Sequence, residues 1–279
     1  MEILILVIVI LAALILWIYV DNVRISVTHY DVVNSRIPQE FEGFRIVQIS
    51  DLHNTEFGRN NERLISAVVN EKPDVIFITG DFIDSRHTNT EISGALAKEL
   101  VKIAPVYYVA GNHEGRIPEV FGRFEKELSS YGVHILRDRG FKLGREGAGI
   151  NIIGIDDPEF VCSYKPSYEI KDMISAQIRS IKRDDSFTVL LAHRPEVMDV
   201  YREEKIDLVF SGHEHGGQFR IPFIGGVYAP IEGFFPKYSE GMITENDTTM
   251  IVSRGLGQSV FPFRVNNPPE LVVAELHMK

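Results

Sequence analysis

Hydrophobic positions along this chain occur in short, unbroken runs rather than in alternation with polar ones. From residue 44 onward, each run is rich in Val and Ile, ends in a polar cluster and is followed by a stretch with helical spacing. Unbroken apolar runs of this length are typical of strands buried on both faces of a sheet. The predicted strands are 44–50, 75–79, 106–110, 150–155, 188–192 and 208–211, followed by late strands near 249–253 and 271–277.

Helical patterns fill the gaps between these runs. Strands that alternate with helices in this way indicate a layered α/β domain, with little room for a second one. The predicted helices lie near 60–71, 91–102, 117–131, 168–183 and 195–204.

The start of the chain has a different pattern. Residues 3–20 contain no charged side chain, and eighteen helical residues span about 27 Å, close to the thickness of a bilayer core. Trp17 and Tyr19 lie at the end of this segment, where membrane proteins place aromatic residues. A buried core helix would show a polar face, and a cleaved signal peptide would have a basic start and a small-residue cleavage site. The segment has no polar face, no basic start and no small-residue cleavage site, so we predict a retained membrane anchor.

The predicted organisation has three parts. Residues 1–21 form a single-pass anchor in the cell membrane, 22–40 form a linker, and 41–279 form one domain. Arg24 and Arg36 follow the anchor, which favours a cytoplasmic location for the domain.

Composition excludes some classes of function. The formal net charge is −10 and no basic face is visible, so we expect no nucleic-acid partner. The single cysteine, Cys162, rules out an internal disulfide, and its polar, motif-free surroundings argue against a catalytic nucleophile. We expect a monomer.

Polar clusters follow the predicted strands at the point where each strand ends. In an open α/β sheet, ligands collect at the carboxyl ends of the strands, so these clusters are expected to meet. Five of the nine histidines of the chain fall in them, which scattered histidines would not do. The combination predicts a metal site with the candidate residues Asp51, His53, Asp81, Asn112, His113, His193, His213 and His215.

The residue types narrow the chemistry. Imidazole and carboxylate ligands suit Zn, Mn and Fe, whereas the absence of thiolates argues against a soft-metal site. Two ions about 3.5–4 Å apart need a shared ligand, and a carboxylate can bridge them while an imidazole cannot. His213 and His215 are two positions apart, so on an extended backbone both would face the same cluster, one for each ion. The flanking glycines would allow close approach and positive φ.

These motifs resemble those of the calcineurin-like metallophosphoesterase family. The matching segments, in family order, are Asp51-Leu52-His53, Gly80-Asp81-Phe82-Ile83-Asp84, Gly111-Asn112-His113-Glu114, Ala192-His193 and Gly212-His213-Glu214-His215.

The resemblance implies a double β-sheet sandwich flanked by helices, with two divalent ions at its centre. It implies that Asp51, His53 and His215 hold one ion. It also implies that Asn112, His193 and His213 hold the other, that Asp81 bridges the two, and that His113 is the catalytic acid or contacts the phosphate. Asp84, Glu114 and Asp156 are candidate partners of the histidines or, alternatively, caps at strand ends.

A narrower resemblance points to the membrane-anchored bacterial branch, which includes UDP-diacylglucosamine hydrolases and cell-envelope phosphodiesterases. It rests on the anchor and on the segments Asp156-Asp157, His193-Arg194-Pro195-Glu196, Gly216-Gly217-Gln218 and Asn267-Pro268-Pro269-Glu270. Glu214 stands where that branch often has Thr, which leaves the ligand positions unchanged and bears on substrate preference.

The predicted function is therefore metal-dependent hydrolysis of phosphoester or pyrophosphate bonds. The expected substrate carries phosphate and could be lipid-linked. The alternative is a non-catalytic metal-binding sensor at the membrane. The aromatic stretches 221–238 and 261–263 either complete the core or form an apolar wall beside the metals that faces the bilayer.

Overall fold

The computed structural model describes residues 1–161, 167–182, 184–229, 233–258 and 261–279. Cys162 and part of the stretch 221–238 lie outside the described residues. The helices are α1 Glu2–Val23, α2 Glu62–Glu71, α3 Thr90–Leu100, α4 Asn112–Arg116, α5 Pro118–Tyr131, α6 Ser167–Ile181 and α7 Met198–Glu203.

The described strands form two large sheets and two short hairpins. The strands are β1 Ser26–Asn34, β2 Phe44–Ile49, β3 Val75–Thr79, β4 Val106–Val109, β5 His134–Ile135, β6 Arg139–Arg145, β7 Ala148–Gly154, β8 Thr188–Leu191, β9 Leu208–Ser211, β10 Arg220–Ile221, β11 Gly225–Gly226, β12 Tyr228–Ala229, β13 Gly233–Phe234, β14 Gly241–Glu245, β15 Thr248–Val252 and β16 Glu270–Met278.

The first sheet has the order β1-β16-β2-β3-β4-β5, and the second has the order β14-β15-β9-β8-β7-β6. Within them, β2 to β5 are parallel neighbours, and so are β15, β9, β8 and β7. Antiparallel strands complete the second sheet at each edge, β14 on β15 and β6 on β7. The carboxyl ends of the central strands therefore gather at one edge of each sheet.

The two sheets pack face to face, with helices on both outer surfaces. The run of apolar residues in β3 is explained by burial of both faces of the strand. Val75 and Phe77 face the core between the sheets, whereas Ile76 and Ile78 face the core under α2, α3 and α5. The Phe77 ring lies 5.3 Å from the ring of Phe210 in the opposite sheet. Burying one such aromatic ring contributes about 1.5–3 kcal/mol, so a strand covered on both faces favours apolar residues. Its one polar residue, Thr79, is buried as the acceptor of a hydrogen bond from the Gln48 side chain at 2.8 Å.

The predicted α/β double-sheet sandwich is confirmed, and the predicted helices and strands appear within a few residues of their expected bounds. The assignment of 22–40 as a linker needs correction. Residues 26–34 form β1, which lies parallel to β16 at the edge of the first sheet. Its partner is more than 240 residues away in the chain, so no local pattern could indicate the pairing. Strands β6 and β14 were also missed, because they are half-exposed edge strands with mixed polarity.

Helix α1 projects from this fold. It has 22 residues, is long and apolar enough to cross a membrane, and its apolar window has none of its area buried against the rest of the chain. That exposure excludes the alternative of a buried core helix.

Candidate metal centre

The predicted site residues lie at the carboxyl ends of five strands. Asp51, Asp81 and Asn112 come after β2, β3 and β4, which are neighbours in the first sheet. His193 and His213 come after β8 and β9, which are neighbours in the second. The seven predicted ligands are all buried at this edge: Asp51, His53, Asp81, Asn112, His193, His213 and His215.

A first group of donor atoms is formed by Asp51, His53 and His215. Their ligand atoms all lie within 4.8 Å of one another. The Nε2 atoms of His53 and His215 are 3.1 Å apart, and His215 Nε2 lies 3.5 Å from Asp51 Oδ1. This spacing lets one small cation contact all three side chains.

A second group of donor atoms is formed by Asp81, His193 and His213, again within 4.8 Å. His193 Nε2 lies 3.2 Å from His213 Nδ1 and 3.1 Å from Asn112 Oδ1. The Nδ1 atom of His193 contacts the carbonyl oxygen of Thr79 at 2.8 Å, which fixes the ring with Nε2 toward the group.

Asp81 lies between the two groups. Its Oδ2 atom is 3.3 Å from His193 Nε2 in the second group and 3.6 Å from His53 Nε2 in the first. Its other oxygen accepts a hydrogen bond from the His113 backbone N–H at 2.8 Å, which holds the carboxylate in this orientation. The position is the one that a bridging carboxylate requires.

The arrangement around Asn112 tests whether these side chains suit a metal ion. The amide oxygen faces the ring nitrogens of His193 and His213, and turning the amide over would let its nitrogen donate to His213 Nδ1 at 2.9 Å instead. With the oxygen inward and both rings neutral, all three atoms would present lone pairs to one point, as metal ligands do, whereas the turned amide would also let its oxygen accept from Arg116 at 3.1 Å without a cation. Mixed carboxylate, amide and imidazole donors are appropriate for borderline divalent metals, so the residues fit such an ion.

The backbone at this edge is strained. Asp51, His53, Asp81, His213 and His215 all adopt left-handed φ values, between 46° and 75°. Such a conformation costs roughly 1–3 kcal/mol for a non-glycine residue and is found mainly at functional sites. The expected extended backbone at residues 213–215 is therefore wrong, because β9 ends at Ser211 and the turns after it send the two rings to different groups.

Two glycines permit the close packing of these loops. A Cβ atom on Gly111 would lie 2.4 Å from Asp81 Oδ1, and one on Gly212 would lie 2.0 Å from Ser50 Oγ. No side chain fits at such distances, so the glycines beside the motif residues are needed for close approach.

Glu114 holds two of the loops together. Its carboxylate is fully buried and accepts hydrogen bonds from the backbone N–H groups of Asp81 (3.0 Å), Ile83 (3.0 Å) and Gly111 (2.8 Å). Of the two roles considered for it, these contacts fit the strand-end cap, because its carboxylate binds backbone amides.

His113 lies beside the first group, with its ring 4.5 Å from that of His53. The Ser85 backbone N–H donates to His113 Nδ1 at 3.0 Å. A backbone N–H can only donate, so the neutral ring carries its proton on Nε2. Burial lowers the pKa of His113 to about 4, which favours this neutral form. The ring can therefore offer an Nε2–H to a bound substrate.

The two remaining acidic candidates differ. Asp84 Oδ2 lies 3.5 Å from His53 Nδ1, so it can orient that ring. Asp156 instead forms an ion pair with Arg137 at 2.6 Å. Among the described contacts, its carboxylate bonds to none of the histidines of the site. Its neighbour Asp157 binds the buried Arg194 at 2.8 Å, immediately after His193.

Sequence reasoning missed three residues around His215. Asn267 donates to the carbonyl oxygen of His215 at 2.7 Å. The fully buried Arg264 lies behind the ring, with Nη2 at 3.2 Å from His215 Nδ1, and donates to the carbonyl of Arg254 at 2.8 Å. Asn22, at the end of α1, accepts from the Arg264 backbone N–H at 2.7 Å. Of the three, only Asn267 could have been noticed in the sequence, because it belongs to the segment that resembles the membrane-anchored bacterial branch.

Burial and neighbouring charges set the ionisation of the site. Burial alone would raise the pKa of Asp81, but the imidazoles of His193 and His113 lower it well below its usual value. Burial lowers the pKa of His213 and of His215 well below the usual range, which keeps both rings neutral. A neutral imidazole is the form that coordinates a metal ion.

Several known proteins are similar to this chain in sequence or in fold. A family model described as calcineurin-like phosphoesterase matches residues 44–217. The chain is 31% identical to the uncharacterized metallophosphoesterase YkuE of Bacillus subtilis (strain 168), over 92% of this chain and 87% of that one. It is 28% identical to the phosphodiesterase YaeI of Escherichia coli (strain K12), over 84% and 82% of the two chains.

One solved structure supports the fold. The protein TT1561 of Thermus thermophilus superposes with a TM-score of 0.51 at 12% identity, over 76% of this chain and 89% of that one. The family model covers more than half of the chain and the Bacillus relative spans nearly all of it. This protein therefore belongs to the calcineurin-like phosphoesterase family.

Proposed function

We propose that this protein is a hydrolase of phosphoester or pyrophosphate bonds that depends on two divalent ions. The observation that carries the proposal is the convergence of two donor groups on one carboxylate. Asp51, His53 and His215 would hold one ion, and His193 and His213 would hold the other together with Asn112, with Asp81 shared between them. Mn, Fe and Zn all suit this donor set.

Bound ions would supply Lewis acidity and positive charge in a site whose own carboxylates are negative. The reaction adds water across the phosphorus–oxygen bond, so the leaving alcohol must gain a proton. His113 holds a proton on Nε2 beside the first donor group, and we assign to it the hydrogen bond that stabilises the leaving oxygen while the proton lost by the attacking water reaches that oxygen. Glu114 and the glycines keep the loops packed, so that the donors are positioned before substrate arrives.

We also propose that α1 is a retained anchor. It continues past its apolar segment to Asp21 and Asn22, and both side chains bond to the domain. Asp21 accepts from the Asn267 backbone N–H at 3.0 Å, and Asn22 donates to the Arg264 carbonyl at 2.8 Å. Cleavage of a signal peptide after Asn22 would remove these contacts from the mature chain. Arg24, directly after the helix, favours a cytoplasmic domain.

A lipid-linked phosphoester is the substrate class that we propose. One cavity is lined by His53 and Asp84 at the donor groups and by Gln258 and Pro262 in the later loop. Gln258 donates to the Asn22 side chain at the end of α1, at 3.1 Å. A substrate in the membrane surface beside α1 would therefore lie next to the opening of the site.

The test uses the full chain in detergent, stripped of metal by a chelator. Addition of Mn²⁺ should restore release of nitrophenol from bis(4-nitrophenyl) phosphate. Asp81→Asn should lose most of this activity and bind less metal, because the shared carboxylate oxygen is replaced by a weaker ligand. Asp247→Asn, an exposed substitution of the same kind, should behave as wild type. Metal binding without turnover would instead establish a sensor and overturn the proposal.

A further inference from the structure

The loops that follow the last candidate ligands expose large apolar side chains. Hairpin β10–β11 carries Phe223 and Ile224 at its tip, with exposed fractions of 109% and 63%. Phe234 and Phe235, at the end of the next hairpin, are 74% and 59% exposed. Of the described residues in 221–238, Gly226, Ala229 and Tyr238 are buried, so only a minority of this stretch packs in the core.

These side chains belong to one connected surface. The Phe219 ring lies 5.1 Å from Phe261 and 5.7 Å from Phe263, which are each about 40% exposed. Val227 joins the two hairpins, because its backbone N–H donates to the Phe219 carbonyl at 2.8 Å and its carbonyl accepts from the Phe235 backbone N–H at 2.9 Å. We call this surface the apolar rim, and its members are Phe223, Ile224, Phe234, Phe235, Phe261 and Phe263.

The apolar rim is attached directly to the end of α1. Residue Phe219 bridges to Val265, and the Arg220 backbone N–H donates to the Val265 carbonyl at 3.0 Å. The preceding residue, Arg264, is bonded through both its backbone N–H and its carbonyl to the Asn22 side chain. The rim therefore lies beside the point where the uncharged segment 3–20 ends, which is where a spanning helix leaves the bilayer core.

We propose that the apolar rim inserts into the bilayer interface as a second membrane contact beside α1. The inference rests on the proposed anchoring. Exposed apolar patches mark binding surfaces, and aromatic residues are favoured at the membrane interface. A net charge of −10 gives no general attraction to anionic lipid, so insertion depends on apolar side chains. Two contacts fix the tilt of the domain and direct the donor groups toward the lipid surface.

The test uses tryptophan fluorescence in the full chain reconstituted into phosphatidylcholine vesicles. Trp17 is the only tryptophan, so Trp17→Phe with Phe223→Trp places a single reporter at the hairpin tip. Brominated acyl chains should quench this reporter, and aqueous acrylamide should quench it several-fold less than a solvent-exposed reporter. The matched control is Trp17→Phe with Val69→Trp. Val69 is 48% exposed near the end of α2, where the helix meets the start of β2 at the far end of the sheet.

The control should be quenched by acrylamide and not by bromolipid. Equal acrylamide quenching of the two reporters would overturn the proposal. Protection of the Phe223→Trp reporter from acrylamide without bromolipid quenching would also overturn it, because the rim would then be covered by protein. In the unmodified chain, bromolipid quenching of Trp17 tests whether α1 lies in the bilayer. Hydrolysis of a soluble diester tests the proposed activity separately. Failure of the anchor, of the activity and of the rim are therefore distinguishable.

Discussion

Replacing Glu114 by Gln should loosen the metal centre without removing any candidate ligand. The native carboxylate receives three backbone N–H groups, and a carboxylate can accept from all of them. The amide of Gln has one oxygen, which can serve Asp81 and Gly111. Its NH₂ group would then face the Ile83 N–H, and two donors would meet in a fully buried position.

The expected loss in the free energy of unfolding comes from one buried N–H donor that loses its acceptor, which costs about 1–3 kcal/mol. For a chain of this size, about 2–4 °C of melting temperature corresponds to 1 kcal/mol, so we expect a decrease of roughly 4–8 °C for a loss of about 2 kcal/mol. Asp81 needs its N–H anchored to keep its left-handed φ of 48°. Metal affinity should therefore also fall, by about 10–100-fold as for other groups that orient ligands.

The assay is thermal unfolding of the chelator-treated full chain at pH 8, followed by calorimetric titration with Mn²⁺. Burial raises the pKa of Glu114 to about 7, so at pH 8 the wild-type side chain is ionised. Glu119→Gln makes the same chemical change at an exposed position and should shift stability by less than about 0.5 kcal/mol. An unchanged melting temperature and metal affinity in Glu114→Gln would refute the assigned role.

Three further predictions follow from the site and the anchor. His113→Gln should keep its metal content and lose kcat by about 10²–10⁴-fold on an alkyl diester, with a smaller loss on bis(4-nitrophenyl) phosphate, whose phenolate leaves without a proton. Equal losses on both esters would assign His113 to charge stabilisation instead. Gly111→Ala should lose metal binding because its Cβ would meet Asp81, whereas Gly122→Ala, with nothing within 4 Å, should stabilise α5 by up to about 1 kcal/mol. Full chain should remain in the membrane pellet after a carbonate wash, and its release would contradict anchoring by α1.

The sequence allowed the central strands and the strand-end positions of the site residues to be predicted, because both depend on local patterns. Strand β3 is apolar from Val75 to Ile78 because both of its faces are buried, and Asp81 lies two positions after its last residue. The convergence of Asp81 with His193 then followed from the rule that parallel strands end at a common edge.

What sequence reasoning missed depends on contacts between distant parts of the chain. Strand β1 pairs with β16, and Asn22 bonds to Arg264 across 242 positions. Neither partner has a local signal that points to the other. The left-handed backbone at Asp51 and His53 was also missed, because such a conformation is imposed by the surrounding packing against the preference of the residue itself.

The most direct test of the central claim is a titration of activity with metal. Full chain stripped of metal is mixed with increasing equivalents of Mn²⁺, and the rate of hydrolysis of bis(4-nitrophenyl) phosphate is measured at each point. Two donor groups that share Asp81 predict that the rate rises from background and reaches its plateau at two equivalents per chain. A plateau at one equivalent, or a rate that does not depend on metal, would contradict the account.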